Sequence, residues 1–357
     1  MANKLDLRKS AFWFKQTGPE NDVVISSRIR LGRNLTGFAF PQNLTYEQEK
    51  AVMEKIVPAF NPLVDESDYT LFRLEDMNPL DIKLLLERNI ITQDFSLAKN
   101  KCIVFNADGT MTALVNETDH LKIAALKGGF SLKEAYKAVN ELDSILEQKL
   151  DFAVSMEWGY LGPYLTNIGT QMRASLMVHL PALVMTDLVT KAIKTIASFG
   201  LSIKGFFDDG EESLGDMYQI SNQISLGASE NDIIESLEEI VLQLVNYERR
   251  AREEMLEKEP IMIKDKIGRA VGMLLYAKRI SSKEAINLLS LIRLGIALEI
   301  IKGVSFETIT ALLFLSQKYH IQTVLGNIDE IDSKLIDYTR AKLIRESLQR
   351  VELSGGE

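Results

Sequence analysis

The feature that most constrains this chain is a change of texture near Gly227. Before it, short β-like runs such as VVISSRIRL (23–31), KCIVF (101–105) and MTALV (111–115) stand in neighbouring pairs among helical stretches. The ADG at 107–109, between two of these runs, reads as a hairpin turn. Paired strands without a regular β-then-α alternation predict an antiparallel sheet with helices packed on it. After Gly227 almost everything carries helical periodicity. The expected architecture is therefore α+β: an antiparallel sheet flanked by helices, followed by a smaller all-helical part. The division predicted is a short lead over 1–21, a sheet-containing domain over 22–255 and a helical domain over 256–357.

Local signals fill in this outline. Lys127-Gly128-Gly129 followed by Ser131-Leu132-Lys133-Glu134 predicts a loop and a capping box, continued by Ala135, Val139, Leu142, Ile145 and Leu146 at helical spacing. Ser229 is placed to cap a helix with apolar positions Ile233, Ile234, Leu237, Ile240, Val241, Leu244 and Val245. The charged run YERRAREEMLEKEP (247–260) reads as the solvated end of that helix. Ser281-Ser282-Lys283-Glu284 predicts a second capping box, opening a helix through Leu288, Leu289 and Ile292.

Composition narrows the function. With 41 Lys and Arg against 50 Asp and Glu, the net charge is −9, which argues against broad nucleic-acid binding but leaves room for a local basic pocket. A single cysteine, Cys102, excludes an internal disulfide framework and a cysteine-built zinc site. His120, His179 and His320 lie far apart in sequence, and no metal centre is expected from them. The first residues lack an apolar core of signal-peptide length, and the greasiest stretch, 288–301, is interrupted by Arg293 and Glu299. A cytoplasmic protein that enters no membrane is expected.

Four constellations do not read as packing. In Ser26-Ser27-Arg28-Ile29-Arg30-Leu31-Gly32-Arg33, residues two apart on a strand share a face, so Arg28 and Arg30 project together. Side by side they either grip an anion such as a polyphosphate or form surface salt bridges. Asn116-Glu117-Thr118-Asp119-His120-Leu121-Lys122 offers acceptors that suit a cation or guanidinium, or simply a turn. Residues 166–175, TNIGTQMRAS, form a polar, glycine-containing loop ending in Arg173, ahead of MVHLPALV. His179 within that apolar run reads as a satisfied core histidine. The fourth, Lys204-Gly205-Phe206-Phe207-Asp208-Asp209-Gly210-Glu211-Glu212, packs a lysine and several carboxylates into one loop, leading to Tyr218-Gln219-Ile220-Ser221-Asn222.

Together these segments resemble the guanidino phosphotransferases (phosphagen kinases), and most of all the bacterial branch that phosphorylates arginine side chains in proteins. The likeness runs from Trp13 through SSRIRLGRN, NETDHLKI, TNIGTQMRAS–HLPAL, the 204–222 segment and QISNQISLG to IRLGIALEIIKG and TRAKLIRESL. It implies an antiparallel sheet with ATP lying across it. Phosphate-gripping positions fall on Arg28, Arg30 and Arg173, with Ser26, Ser27, Ile29, Lys122, Ala174, Ser175, Leu176, Met177, Lys204, Gly205, Phe206, Phe207 and Asp208 completing the ATP-binding segments. Mg²⁺ is implied to travel on the nucleotide, with no dedicated protein metal cage. Glu117 is implied as the carboxylate that receives the guanidino group, with Asp209 as a second catalytic acid.

The chemistry explains that need, because a free guanidinium keeps its proton at pH 7 and has no available lone pair. A carboxylate bonded to it holds it in line with the γ-phosphate and takes the proton as the N–P bond forms. Roughly two dozen residues precede the SxRxR segment. The small-metabolite kinases carry a substantial helical domain there that helps enclose the substrate, so a protein-borne arginine is the expected acceptor. The helical C-terminal part is implied to dimerise, and Asp337, Arg340 and Ala341 fall on a phosphoarginine-binding stretch. An activator protein is a further implied partner.

The chain also departs from the family pattern. The arginine of NEEDHxR is Lys122, and the arginine opening the 204 loop is Lys204, so two bidentate forks are lost. GEGS becomes Asp208-Asp209-Gly210-Glu211, the reactive cysteine is Tyr164, an ATP-contacting histidine is Asn89, and the first arginine of the phosphoarginine motif is Ile336. The resemblance thus implies ATP-dependent phosphorylation of arginine in proteins. A degenerate, weakly active or inactive binding or regulatory protein is the alternative, and a kinase for a free small guanidino compound the third.

Overall fold

In a computed structural model the chain is described over residues 12–66, 68–207, 213–326 and 332–354. Eight strands form one sheet in the order β2-β3-β4-β5-β1-β8-β10-β9. They are β1 (Val24–Arg33), β2 (Tyr69–Arg73), β3 (Cys102–Asn106), β4 (Met111–Val115), β5 (Leu121–Gly128), β8 (Met172–His179), β9 (Leu201–Gly205) and β10 (Met217–Asn222). Two-residue strands β6 (Val154–Ser155) and β7 (Gly159–Tyr160) make a separate small hairpin. Every pairing in the large sheet is antiparallel, as the paired runs predict. The 107–109 turn joins β3 to β4, with Gly109 at φ 70°, a value glycine adopts without strain.

The helices of the first part are α1 (Tyr46–Asp65), α2 (Pro79–Glu87), α3 (Gln93–Leu97), α4 (Leu132–Glu147), α5 (Pro181–Met185) and α6 (Val189–Ser198). Helix α4 packs on β1 and β5. The long α7 (Glu230–Lys258) packs on β8 and β10. Pro260 opens α8 (Pro260–Tyr276), and α9 (Ser282–Ala297), α10 (Phe306–Leu315), α11 (Lys318–Val324) and α12 (Ser333–Ser347) follow, with β11 (Ile301–Lys302) paired to β12 (Glu352–Leu353). One continuous apolar core joins the sheet to α8, α9 and α10. Trp13 and Phe14 seal this junction against Phe314 of α10, with ring centroids 5.2 and 4.7 Å away.

Both capping residues of the helical part act as predicted: Ser229 and Ser281 each accept from the backbone three residues on, while Asp232 and Glu284 reach back. The box at Ser131 does not form. Its hydroxyl donates to Gly128 O and its amide to Ser27 Oγ, so the end of the β5 turn takes the groups that a cap needs. Ile145 of α4 is exposed, whereas Ala135, Val139, Leu142 and Leu146 are buried.

The charged run 247–260 departs most from expectation. Glu248 is fully buried, accepting from the amides of Ala182 and Leu183 at the start of α5 and from Arg252 Nε. Arg252 and Arg249 both bond Asp22. Only Lys258 and Glu254 form the exposed pair that a solvated helix end would show. A charged residue is buried when its partners arrive from other elements, and that cannot be read along one helix.

Candidate active site

Strand alternation builds the site. On β1, Arg28 and Arg30 face one side of the sheet, while Ile29 and Leu31 enter the core on the other. Antiparallel register places Arg30 beside Arg173 of β8 on one flank and Ala124 of β5 on the other. Lys122 lies two residues from Ala124 on the same side, and Gln219 of β10 pairs with Lys204 of β9. Six cationic or polar groups from five strands are thereby fixed on one face.

They line a cleft of about 490 Å³. Its floor carries Arg28, Arg30, Lys122, Arg173 and Lys204, and residues 89–93 form a wall with Leu86. Arg28 donates to Asn89 O at 2.8 Å, fastening that wall, and Arg173 donates to Ser221 Oγ at 3.1 Å. Arg30 Nε has no hydrogen-bond partner among the described residues. Neither Arg28 nor Arg30 forms an ion pair with another described residue, so the salt-bridge reading of the pair finds no partner among them. Burial first, then the charges of Arg28 and Arg173, press Arg30 well below the usual arginine range. Guanidinium groups do not discharge in such a place, so the cluster calls for an anion.

Glu117 stands at the edge of these cations. Its Oε2 is 2.7 Å from Lys122 Nζ and accepts from Thr118 N and Oγ1 at 2.6 Å each. Thr92 Oγ1 approaches Oε1 at 3.4 Å. Burial alone would raise this carboxyl, but Lys122 and the Thr118 bonds outweigh it and lower it to about 2. Glu117 is ionised throughout the neutral range, with Lys122 as its counter-ion. In NEEDHxR two glutamates are adjacent; here the second is Thr118.

The rest of that segment anchors the turn. Asn116, at φ 61°, donates to Glu49 O and Asn100 O. Asp119 accepts from Asn34 Nδ2, and His120 Nδ1 accepts from Leu35 N. Arg173, expected at the end of a loop, lies on β8. His179 bonds Ser290 Oγ through Nε2 at 2.8 Å, while its Nδ1 has no partner, so the core histidine is satisfied on one side only.

Of the remaining expected residues, Gly205 and Phe206 line the cleft. Phe206 and Phe207 lean on Phe314, tying the cleft to α10. Ser26, Ser175 and Met177 sit at alternating positions with the arginines but outside the cleft lining. Ser27, Ile29, Ala174 and Leu176 turn to the opposite face, where Ser27 Oγ donates to Gly129 O. Asp208 and Asp209 lie outside the described residues. Far from the cleft, Arg340 is buried, donating to Ser316 O, Ile280 O and the Asp337 carboxylate, with Ala341 buried beside it.

A second, smaller cavity of about 210 Å³ shares Arg30, Lys122 and Arg173 with the cleft and continues past them to Thr118, Asp119, Asn167 and Gln171. Sequence reasoning missed it. Gln171 falls in the 166–175 segment but is given no role of its own there, and its left-handed φ of 50° appears only in three dimensions.

Comparison with known proteins gives the family. Residues 51–251 match the family model of the ATP:guanido phosphotransferase C-terminal catalytic domain, and residues 260–356 match that of the protein-arginine kinase McsB C-terminal domain. A protein-arginine kinase of Halalkalibacterium halodurans is 39% identical over 342 residues, covering 94% of this chain and 95% of that protein. One of Bacillus subtilis is 38% identical, covering 96% and 94%. Among solved structures, a duplicated taurocyamine kinase of Schistosoma mansoni shares the fold at TM-score 0.60 and 22% identity, over 77% of this chain and 42% of that one. A lombricine kinase does so at 0.57 and 23%, over 70% and 71%. The chain belongs to the ATP:guanido phosphotransferases and, within them, to the protein-arginine kinases.

Proposed function

We propose that this protein transfers the γ-phosphoryl group of ATP to the guanidino nitrogen of arginine side chains in proteins. The observation that carries this reading is the shared wall of Arg30, Lys122 and Arg173, with the cleft on one side and the smaller cavity on the other. A triphosphate laid in the cleft over Arg28, Lys204 and Arg30 would bring its terminal phosphorus to that wall. An acceptor entering from the far side would meet it there, in line.

Most of the catalysis is then positioning and charge neutralisation, as in other phosphoryl transfers. The wall residues hold the charge of the transferring group, and Glu117, bonded to Thr118 at the divide, takes a guanidino proton as the N–P bond forms. The arriving phosphate draws Lys122 away from Glu117, which frees the carboxylate for the acceptor. The donor set, cations and one lysine-bound carboxylate, suits phosphate oxygens better than a divalent ion. Mg²⁺ would enter on the nucleotide and neutralise β- and γ-oxygen charge.

The proposal assigns catalysis to 22–255 and dimerisation to 256–357, where Ile261, Met273 and Tyr276 of α8 are exposed apolar residues available for a partner copy. It also keeps Asp337, Arg340 and Ala341 as the phosphoarginine site; a phosphate there would have to displace the Asp337 carboxylate from Arg340. A cytoplasmic setting and an activator protein belong to the same reading. Among the described residues no helix is long and apolar enough to cross a membrane. Incubation with ATP, Mg²⁺ and an arginine-rich protein should yield acid-labile phosphoarginine by mass spectrometry, and an absence of product overturns the proposal.

A further inference from the structure

The 89–93 wall of the larger cleft does not stand on the main core. Ile91, at its centre, belongs to a separate apolar cluster with Leu85, Phe95, Ile103 and Leu114. The wall meets the site at two points, where Asn89 O accepts from Arg28 and Thr92 Oγ1 approaches Glu117. Asn89 holds a left-handed φ of 53°, so a single backbone turn aims its carbonyl. Immediately before it, the end of α2 is held by the helical part. Glu87 accepts from the amides of Tyr319 and His320 at 2.8 and 3.1 Å, satisfying two donors in the first turn of α11. Its Oε2 also lies 2.9 Å from His320 Nδ1, and Arg88 Nε donates to His320 Nε2 at 3.0 Å. A ring that accepts at Nε2 carries its proton on Nδ1, so a neutral imidazole bridges Arg88 to Glu87. Burial, outweighing the bond to Glu87, lowers His320 below its ordinary value, in keeping with the neutral ring.

We propose that Glu87 and His320 are positioning residues for the nucleotide: they fasten the cleft wall to the helical part, so that ATP binds tightly only while α11 holds the end of α2. The proposal rests on the kinase reading only in taking ATP as the ligand. Asn89 follows Arg88 directly and Thr92 is four residues on, so α2 cannot shift without carrying both wall contacts with it. Arg28 is the element most exposed to such a shift, because the carbonyl that orients its guanidinium sits on the wall. Released from α11, the wall would keep its small apolar cluster but lose the anchor nearest to Asn89. The coupling is reciprocal: if α11 steadies the wall for nucleotide, nucleotide seated on the wall steadies α11 by the same factor.

The test combines amide hydrogen exchange with titration of a fluorescent ATP analogue, both on the full-length protein. In the wild type, saturating ATP and Mg²⁺ should slow exchange at Tyr319 and His320 roughly fivefold, as well as over 89–93. His320→Leu removes the bridge, and should weaken the analogue roughly fivefold and speed exchange over 89–93. His320→Gln, whose amide can accept from Arg88 and donate to Glu87, should restore affinity to within about twofold of the wild type. In turnover, His320→Leu should raise the KM for ATP and leave kcat within about twofold, a split that a merely structural contact would not give. Unchanged exchange at Tyr319 and His320 on nucleotide loading overturns the inference without any variant. A folded His320→Leu that binds the analogue as the wild type does, or that loses kcat at constant KM, also overturns it. Phosphoarginine formation is scored separately. Product from the wild type with no coupled exchange rejects the positioning role and spares the kinase reading. Coupled exchange without product does the reverse.

Discussion

Lys122 Nζ lies 2.7 Å from Glu117 Oε2, joining the cation wall to the carboxylate in a single ion pair. Lys122 lines both cavities, so under the proposed function a triphosphate and Glu117 would compete for the same ammonium. That competition would make the carboxylate's readiness depend on nucleotide.

The pair sets a pH signature. Glu117 has a folded value near 2, below its ordinary 4.5, so its ionised form stabilises the fold above the ordinary value and this contribution is lost as pH falls through 2. No acid limb from Glu117 should appear in kcat/KM above about pH 4. In Lys122→Met burial is opposed by the Thr118 bonds without the lysine, and the limb should move to higher pH. Unchanged profiles in the two proteins contradict this coupling.

Arg30 tests the phosphate wall. Arg30→Lys keeps the charge but loses the planar fork, and ATP affinity should fall about tenfold, the equivalent of ~1.4 kcal/mol. Arg30→Ala should lose more, and the salt dependence of binding should weaken. Titration of a fluorescent ATP analogue reads both.

Thr118 stands where the family motif has its second glutamate, and it lines the smaller cavity. Thr118→Glu adds an acceptor there and relieves Glu117 of acting alone, so kcat should rise by about tenfold, ~1.4 kcal/mol of barrier. A fall or no change would show that a single carboxylate does not limit the rate.

Asp216 connects sheet to helical part, accepting from Ser290 Oγ at 3.2 Å. Burial raises it to about 6 from 3.8, so the folded form favours the protonated acid. The associated stability is full below 3.8 and is lost as pH rises through 6. Asp216→Asn, well suited to the left-handed φ of 57°, should stabilise the protein at pH 8 by on the order of 2 kcal/mol and by little at pH 4. Denaturant titration at both pH values checks this.

Much of the catalytic half was legible because strand alternation and motif spacing are local. Arg28 and Arg30 had to share a face, and the ADG turn had to close a hairpin. The buried status of Glu248 and Arg252 was not legible, since Asp22 and the α5 amides come from distant sequence. Nor could spacing show that Lys122 would bond Glu117 from the next strand, or that Ser27 Oγ would take the amide meant to be capped at Ser131. Gln171 is the clearest case. A polar residue in a polar loop becomes informative only when its amide is found buried and unpaired.

The most direct test compares phosphoarginine yield from wild type and Glu117→Ala under identical ATP, Mg²⁺ and protein substrate. The account predicts clear product from the wild type and a yield at least a hundredfold lower from the variant, with ATP affinity retained. Equal yields would contradict it.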